Sequence, residues 1–197
     1  MEVNRKRNRL KGYDYTKDGW YFVTICIKNR QFLFGNIDNQ KIILNKYGEH
    51  TQKCWKDIPS HFPNVRLDEF VVMPNHVHGI IIIDNTKNNI ENKVGNKDFC
   101  SNVGNKDFCS LQPWQTKLSK SLSSIIRGFK IGVTKYFKKN QYINFKWQKS
   151  FYDHVIRTET SLNNIRNYIK DNPLRWDLEK DHNHLSNIDY DIISLKS

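Results

Sequence analysis

The stretch Val71-Val-Met-Pro-Asn-His-Val-His-Gly-Ile-Ile-Ile-Ile83 constrains this chain more than any other. Ile80 to Ile83 is an unbroken β-branched run with Val71 and Val72 ahead of it, the pattern of a strand buried on both faces. Pro74-Asn75 lies between the two apolar halves and reads as a tight reversal, so the segment is expected to be a β-hairpin. Side chains alternate along a strand, which puts His76 and His78 on one face. Two adjacent imidazoles at the mouth of a central strand can hold one cation. They can equally be two hydrogen-bonded histidines at a strand end. Their position in the most apolar part of the chain favours a purpose, because an unpaired polar group there is costly.

The 197 residues suggest one domain with extensions. A net charge of +12 points to an anionic partner, with nucleic acid the leading candidate and a merely basic surface the plain alternative. No apolar run approaches the roughly 20 residues of a spanning helix. The first residues, with Glu2, Asn4, Arg5, Lys6 and Arg7, do not resemble a signal peptide, so a cytoplasmic protein with no membrane partner is expected. Its four cysteines are then expected to be reduced. Cys26 and Cys54 sit in apolar patterns and read as core residues. No Cys-x-x-Cys pair points to structural zinc.

Along the chain, residues 4–11 form a basic arm carrying Arg5, Arg7 and Arg9, suited to phosphate. Trp20 to Ile27 is aromatic and β-branched, the first expected strand. Ile43, Tyr47, Cys54, Trp55 and Ile58 recur at helical intervals, which predicts one amphipathic helix ended by Pro59. Residues 65–73 and 76–83 are the hairpin. The polar stretch 84–115 contains a tandem copy, Val94 to Asn102 followed by Val103 to Leu111. Nine residues are too few for a solenoid repeat and fit a slipped duplication in a surface loop. Cys100 and Cys109 are copies within it and read as no metal site.

A helix is expected over 117–138, with Leu118, Leu122, Ile125, Ile126, Phe129, Val133, Tyr136 and Phe137 as its apolar stripe. Lys120, Arg127, Lys130, Thr134 and Lys138 lie mostly off it, as a solvated face or as phosphate contacts. Phe145 to Ile156 reads as a further strand. Thr158 or Thr160 then caps a last helix through Leu162, Ile165 and Ile169, expected to end near Asn172 because Pro173 disfavours helical geometry before it. From Trp176 the chain reads as a polar tail. Strand, helix, hairpin, helix, strand, helix describes an α+β fold, one antiparallel sheet covered on one side by helices in a ferredoxin-like arrangement.

No motif supports a serine or cysteine nucleophile, and no Gly-rich phosphate loop or Walker-type lysine is present. On the last helix Tyr168 and Asn172 stand four residues apart, hence on one face. A tyrosine can be a covalent nucleophile where the charge on its target is stabilised. A divalent ion does that as a Lewis acid, and the Asn172 amide oxygen can complete a site begun by two imidazoles. Tyr168 also follows Ile165 by three residues and can simply flank the core.

Taken together, Arg9-Leu-Lys-Gly-Tyr-Asp-Tyr15, Tyr21-Phe-Val-Thr24, Met73-Pro-Asn-His-Val-His-Gly79, Ser124-Ile-Ile-Arg-Gly-Phe-Lys130, Trp147-Gln148, Tyr152-Asp-His-Val-Ile-Arg157 and Ile165-Arg-Asn-Tyr-Ile-Lys-Asp-Asn-Pro173 resemble the REP-associated tyrosine transposases, a branch of the single-tyrosine HUH transposases. The resemblance implies a basic arm over 1–12, a transposase domain over 13–176 with the polar insertion 84–115, and a tail over 177–197. It implies Mg²⁺ or Mn²⁺ on His76 and His78 with Asn172 as third ligand, and Tyr168 as the nucleophile on single-stranded, hairpin-forming DNA. The products are a 5′-phosphotyrosine and a free 3′-OH. Gln148 and His154 match the pattern and take a supporting role; a monomer and a homodimer both fit. The competing expectation is a non-catalytic single-stranded nucleic-acid-binding protein of ferredoxin-like fold. A second His-x-His, His182 and His184, lacks a strand, a tyrosine and an apolar setting, and reads as coincidence.

Overall fold

The computed structural model describes residue 10 and residues 12–86 and 120–180, with side chains through 176. Arg5, Arg7 and Arg9, the duplicated segment 94–111 and the pair His182 and His184 lie outside the described residues. Strand β1 spans Gly19–Cys26, followed by a small hairpin of β2 (Gly35–Asp38) and β3 (Lys41–Leu44). Helix α1 (Lys46–Lys56) and the one-turn α2 (Ile58–His61) lead to β4 (Val65–Met73) and β5 (His76–Ile83). Helix α3 (Leu122–Lys139), β6 (Tyr152–Ile156) and α4 (Glu159–Lys180) complete the described chain.

The main sheet has the order β4-β5-β1-β6, antiparallel throughout. With α1 between β1 and β4, and α3 between β5 and β6, this is the βαββαβ ferredoxin-like plan. Both helices pack on one face, where Tyr21, Val23, Ile25, Val77, Ile81 and Val155 meet Trp55, Phe129 and Val133 in the large core. The last helix does not join them. Leu162, Ile165, Tyr168 and Ile169 of α4 bury Phe22, Ile80 and Ile156 from the opposite face. Strand β5 is therefore buried from end to end because each face has its own cover, and the sheet is not covered on one side alone.

The hairpin expected at 65–83 closes with Met73 opposite His76, which leaves Pro74-Asn75 as a two-residue turn. Elsewhere local geometry overrules the pattern. Ile43 belongs to β3 and is exposed, not helical. Its hairpin turns on Asn39 and Gln40, both at positive φ (48° and 62°), the mirror-image turn that suits a twisted ribbon. Asn45 then starts α1 by accepting from the Tyr47 and Gly48 N–H groups. Pro59 sits in the first turn of α2, where a missing N–H costs little, and does not terminate α1. The strand expected over 145–156 is paired only from Tyr152, apart from a single bridge between Ile27 and Trp147.

At the end of the chain, Thr158 caps α4 by accepting from Ser161 N–H. The helix runs straight through Pro173 to Lys180. Proline there forfeits one intrahelical bond, to the carbonyl of Ile169. Packing holds the extra turn: Trp176 lies 5.6 Å from the His76 ring and 5.7 Å from Phe32, ring centre to ring centre. Trp176 is thus part of the fold and not the start of a tail. Among the described residues no helix is long and apolar enough to cross a membrane.

Candidate active site

The face of the sheet under α4 carries an unusual row for so apolar a setting. Val71, His78, Thr24 and Tyr152 are directly opposed across four strands, and His76 follows at the turn end beside Cys26. Both imidazoles are buried, and their Nε2 atoms converge at 2.9 Å. Each Nδ1 has a neighbour: Asn75 Oδ1 at 2.6 Å from His76, and Thr24 Oγ1 at 2.8 Å from His78.

These contacts fix protons. Asn75 Nδ2 donates to the Arg30 carbonyl, which can only accept, so the amide oxygen is the atom facing His76. His76 Nδ1 must then carry the proton, and its Nε2 presents a lone pair. Burial, followed by the nearby positive charge of Arg30, holds the pKa of His76 down at about 3. His78 is likewise pushed well down by burial, then by His76. Both rings are neutral at physiological pH, the form that binds a metal.

Tyr168 closes the site from α4. Its ring is 5.3 Å from His78 and 6.0 Å from Phe22, edge-on to both, and the Arg175 guanidinium stands 5.7 Å from its centre. Asn172, one helical turn on, is also buried. Two ion pairs fasten this helix to the sheet. A bulge between Leu67 and Phe70 of β4 turns Asp68 and Glu69 towards α4. Arg166 grips Asp68 with two bonds of 2.8 and 2.6 Å, and Lys170 reaches Glu69 at 3.1 Å. The Arg166 bonds hold the Asp68 carboxyl below its usual range despite partial burial.

The other expected residues fall elsewhere. Arg127 and Lys130 are on α3, across the sheet from the histidines, and Lys120 sits just before that helix. Lys130 spends its ammonium on the carbonyls of Gln148 and Ser150, 3.0 Å each, so it braces the approach to β6. With Arg127, Lys135, Lys138 and Lys149 it lines a groove of about 580 Å³. Gln148 is exposed, and its backbone N–H bonds Cys26 O. His154 shares the face of the histidine pair but lies one row away, opposite Phe22. Sequence reading passed over Thr24 and Asn75, which orient the rings; their places beside the motifs Tyr21–Thr24 and Met73–Gly79 were the available signal.

No family model matches the chain. An uncharacterized protein of Haemophilus influenzae is 43% identical over 177 residues, covering 90% of this chain and 92% of that one. A second protein of that organism, named "Putative REP-associated tyrosine transposase", is 23% identical over 82% of this chain and 74% of its own length. Among solved structures, a REP-associated tyrosine transposase bound to a REP hairpin superposes with a TM-score of 0.52 at 20% identity, covering 85% of this chain and 73% of that one. The chain thus belongs to one family with the uncharacterized Haemophilus influenzae protein, and its fold is that of a REP-associated tyrosine transposase.

Proposed function

We propose that this protein is a REP-associated tyrosine transposase of the HUH type, a metal-dependent enzyme that cuts and rejoins single-stranded, hairpin-forming DNA through Tyr168. The observation that carries the reading is the meeting of the Tyr168 ring with His78 above two converging Nε2 atoms. The donor set fits a divalent ion. Two neutral imidazoles whose Nε2 atoms converge at 2.9 Å would offer such an ion a pair of adjacent nitrogen ligands. Among the described residues no third His, Cys, Asp or Glu joins the pair, which leaves the Asn172 amide as the protein ligand we assign. Mg²⁺ or Mn²⁺ bound there would polarise the scissile phosphate and offset its developing charge.

The chain's own part is positional. His76 and His78 are held neutral by burial, Asn75 keeps the proton on His76 Nδ1, and Thr24 can partner either tautomer of His78. Helix α4, pinned through Arg166 and Lys170, fixes the phenol against them. Tyr168 Oη attacks phosphorus and loses its proton; the P–O3′ bond breaks, and the leaving oxygen takes up a proton as a free 3′-OH. The 5′-phosphate stays on the tyrosine, so bond energy is conserved and the 3′-OH can later reverse the step. Holding the groups in line supplies much of the acceleration. Hairpin DNA as partner is supported by what the solved transposase holds.

A non-catalytic binder is favoured by one observation, the basic groove on α3 that lies across the sheet from the histidines. Incubating wild type and Tyr168→Phe with labelled hairpin DNA and Mn²⁺ separates the two. An enzyme gives a denaturation-resistant protein–DNA band that needs the ion and disappears in Tyr168→Phe while binding persists. A binder gives no such band in either protein.

A further inference from the structure

A segment with no role in the account so far runs between β1 and β2. Lys28 to Arg30 form a single turn in which Asn29 and Arg30 both adopt the left-handed conformation, φ 58° and 49°. Non-glycine residues enter that region at a cost, so the surroundings must impose it. They do. Ile27 N–H bonds Asn75 O, Arg30 N–H bonds Ile27 O, and Leu33 and Phe34 N–H both bond Pro74 O. The loop is stitched to the turn that carries His76. Its contact with the site is direct: Asn75 accepts from His76 with its oxygen and donates to Arg30 O with its nitrogen.

The side chain of Arg30 is left in an odd state. Its Nη1 is buried and has no hydrogen-bond partner among the described residues. An unsatisfied guanidinium N–H shut away from water is destabilising until an acceptor arrives, and a planar fork suits a phosphate above all. Its charge is close enough to be felt at His76. Beside it, Phe32 is an exposed aromatic (54%) packed edge-on to Trp176, whose other neighbour is the His76 ring. An arginine in the loop bonded to Asn75 and a pair of aromatic rings reaching His76 thus border the histidine site. A nucleotide offers the two complementary parts, an anionic phosphate and a flat base.

We infer that Arg30 binds a non-bridging oxygen of the scissile phosphodiester, and that Phe32 and Trp176 hold the base next to it. This rests on the proposed transesterification and adds to it the residues that present the substrate. The ammonium of Lys130 serves a loop on the far side of the sheet. Arg30 instead belongs to the loop bonded to Asn75, the residue that orients His76, and a donor aimed at developing charge there has the most effect.

Single-turnover adduct formation with end-labelled hairpin DNA from the chromosome bordering the gene, in Mn²⁺, tests this on wild type, Arg30→Ala, Arg30→Lys and Trp176→Ala. At saturating DNA, Arg30→Ala is expected to lower the rate about 100-fold, and Arg30→Lys less, since it keeps charge but not the fork. Trp176→Ala is expected to weaken DNA binding about tenfold, with a smaller effect on the saturated rate. Circular dichroism checks folding; should Arg30→Ala fail to fold, Arg30→Lys decides, and a rate reduced at least fivefold at unchanged melting temperature supports the assignment. Folded Arg30→Ala reacting within fivefold of wild type, or Arg30→Lys doing so where Arg30→Ala does not fold, overturns it. Absence of adduct in wild type is a different result, and counts against tyrosine chemistry itself.

Discussion

Thr24 Oγ1 stands 2.8 Å from His78 Nδ1, and a hydroxyl can face that nitrogen as donor or as acceptor. Without a cation, His78 Nε2–H donates to the His76 lone pair and Nδ1 accepts from Thr24. Were His78 Nε2 to ligate a cation, its proton would have to sit on Nδ1, where Thr24 can accept it. The neighbour therefore tolerates both tautomers, as an amide oxygen would not. Thr24→Val removes that bond at nearly constant volume and should weaken Mn²⁺ binding about tenfold by calorimetry, in line with losses of other outer-shell partners. Unchanged affinity would mean the hydroxyl plays no part. The rings also set an acid response. Their folded pKa values lie below the unfolded value near 6.5, so between about pH 6.5 and 3 the unfolded chain binds more protons and stability falls as pH falls. In chelator, the melting temperature should be level above roughly pH 7 and drop steadily below about pH 6.5.

At the scale of elements, the site depends on how α4 is hung. Removing Asp68 by Asp68→Ala leaves Arg166 without its fork partner and loosens the helix two residues from Tyr168. The partly exposed pair should contribute only about 1 kcal/mol to stability. The adduct rate should fall further, by roughly tenfold or more, because small misplacements of a reacting group are expensive. Equal effects on both would make the pair a mere fastening. Beneath the site, Gly79 lets Trp55 lie flat on β5; an added Cβ would come within 2.3 Å of the indole. Gly79→Ala should destabilise by about 1–3 kcal/mol in denaturant titration.

The same elements show what sequence could reveal. The 65–83 hairpin was legible because β-branched runs, a Pro-Asn turn and strict alternation agree. Tyr168 and Asn172 were legible as a helical pair. The β2–β3 ribbon was not, since Asn39-Gln40 turns without glycine and Ile43 happens to fall in helical register with Tyr47. Nor was the continuation of α4, because local preference at Pro173 is overruled by tertiary contacts of Trp176. Arg30 carries no signal in a sequence already rich in arginine and lysine; what distinguishes it is a buried nitrogen with no partner among the described residues.

Over the whole molecule, a net charge of +12 is distributed so that the groove on α3 and the histidine site occupy opposite faces of one sheet. A hairpin stem gripped by the groove would have to send its single strand around the sheet to reach Tyr168. Affinity for hairpin DNA should then fall linearly in log–log terms with salt. Arg127→Ala with Lys138→Ala should reduce that slope by about one to two while leaving the saturated adduct rate within threefold. A large rate loss at saturation would place the groove at the chemistry instead. The central claim concerns one oxygen atom, and mass spectrometry reads it directly. After reaction with hairpin DNA and Mn²⁺, nuclease trimming and trypsin, the peptide Asn167–Lys170 should carry a nucleotide joined through its 5′-phosphate to Tyr168. A DNA-linked peptide from any other part of the chain, or none at all from protein that binds the hairpin and the ion, would contradict the account.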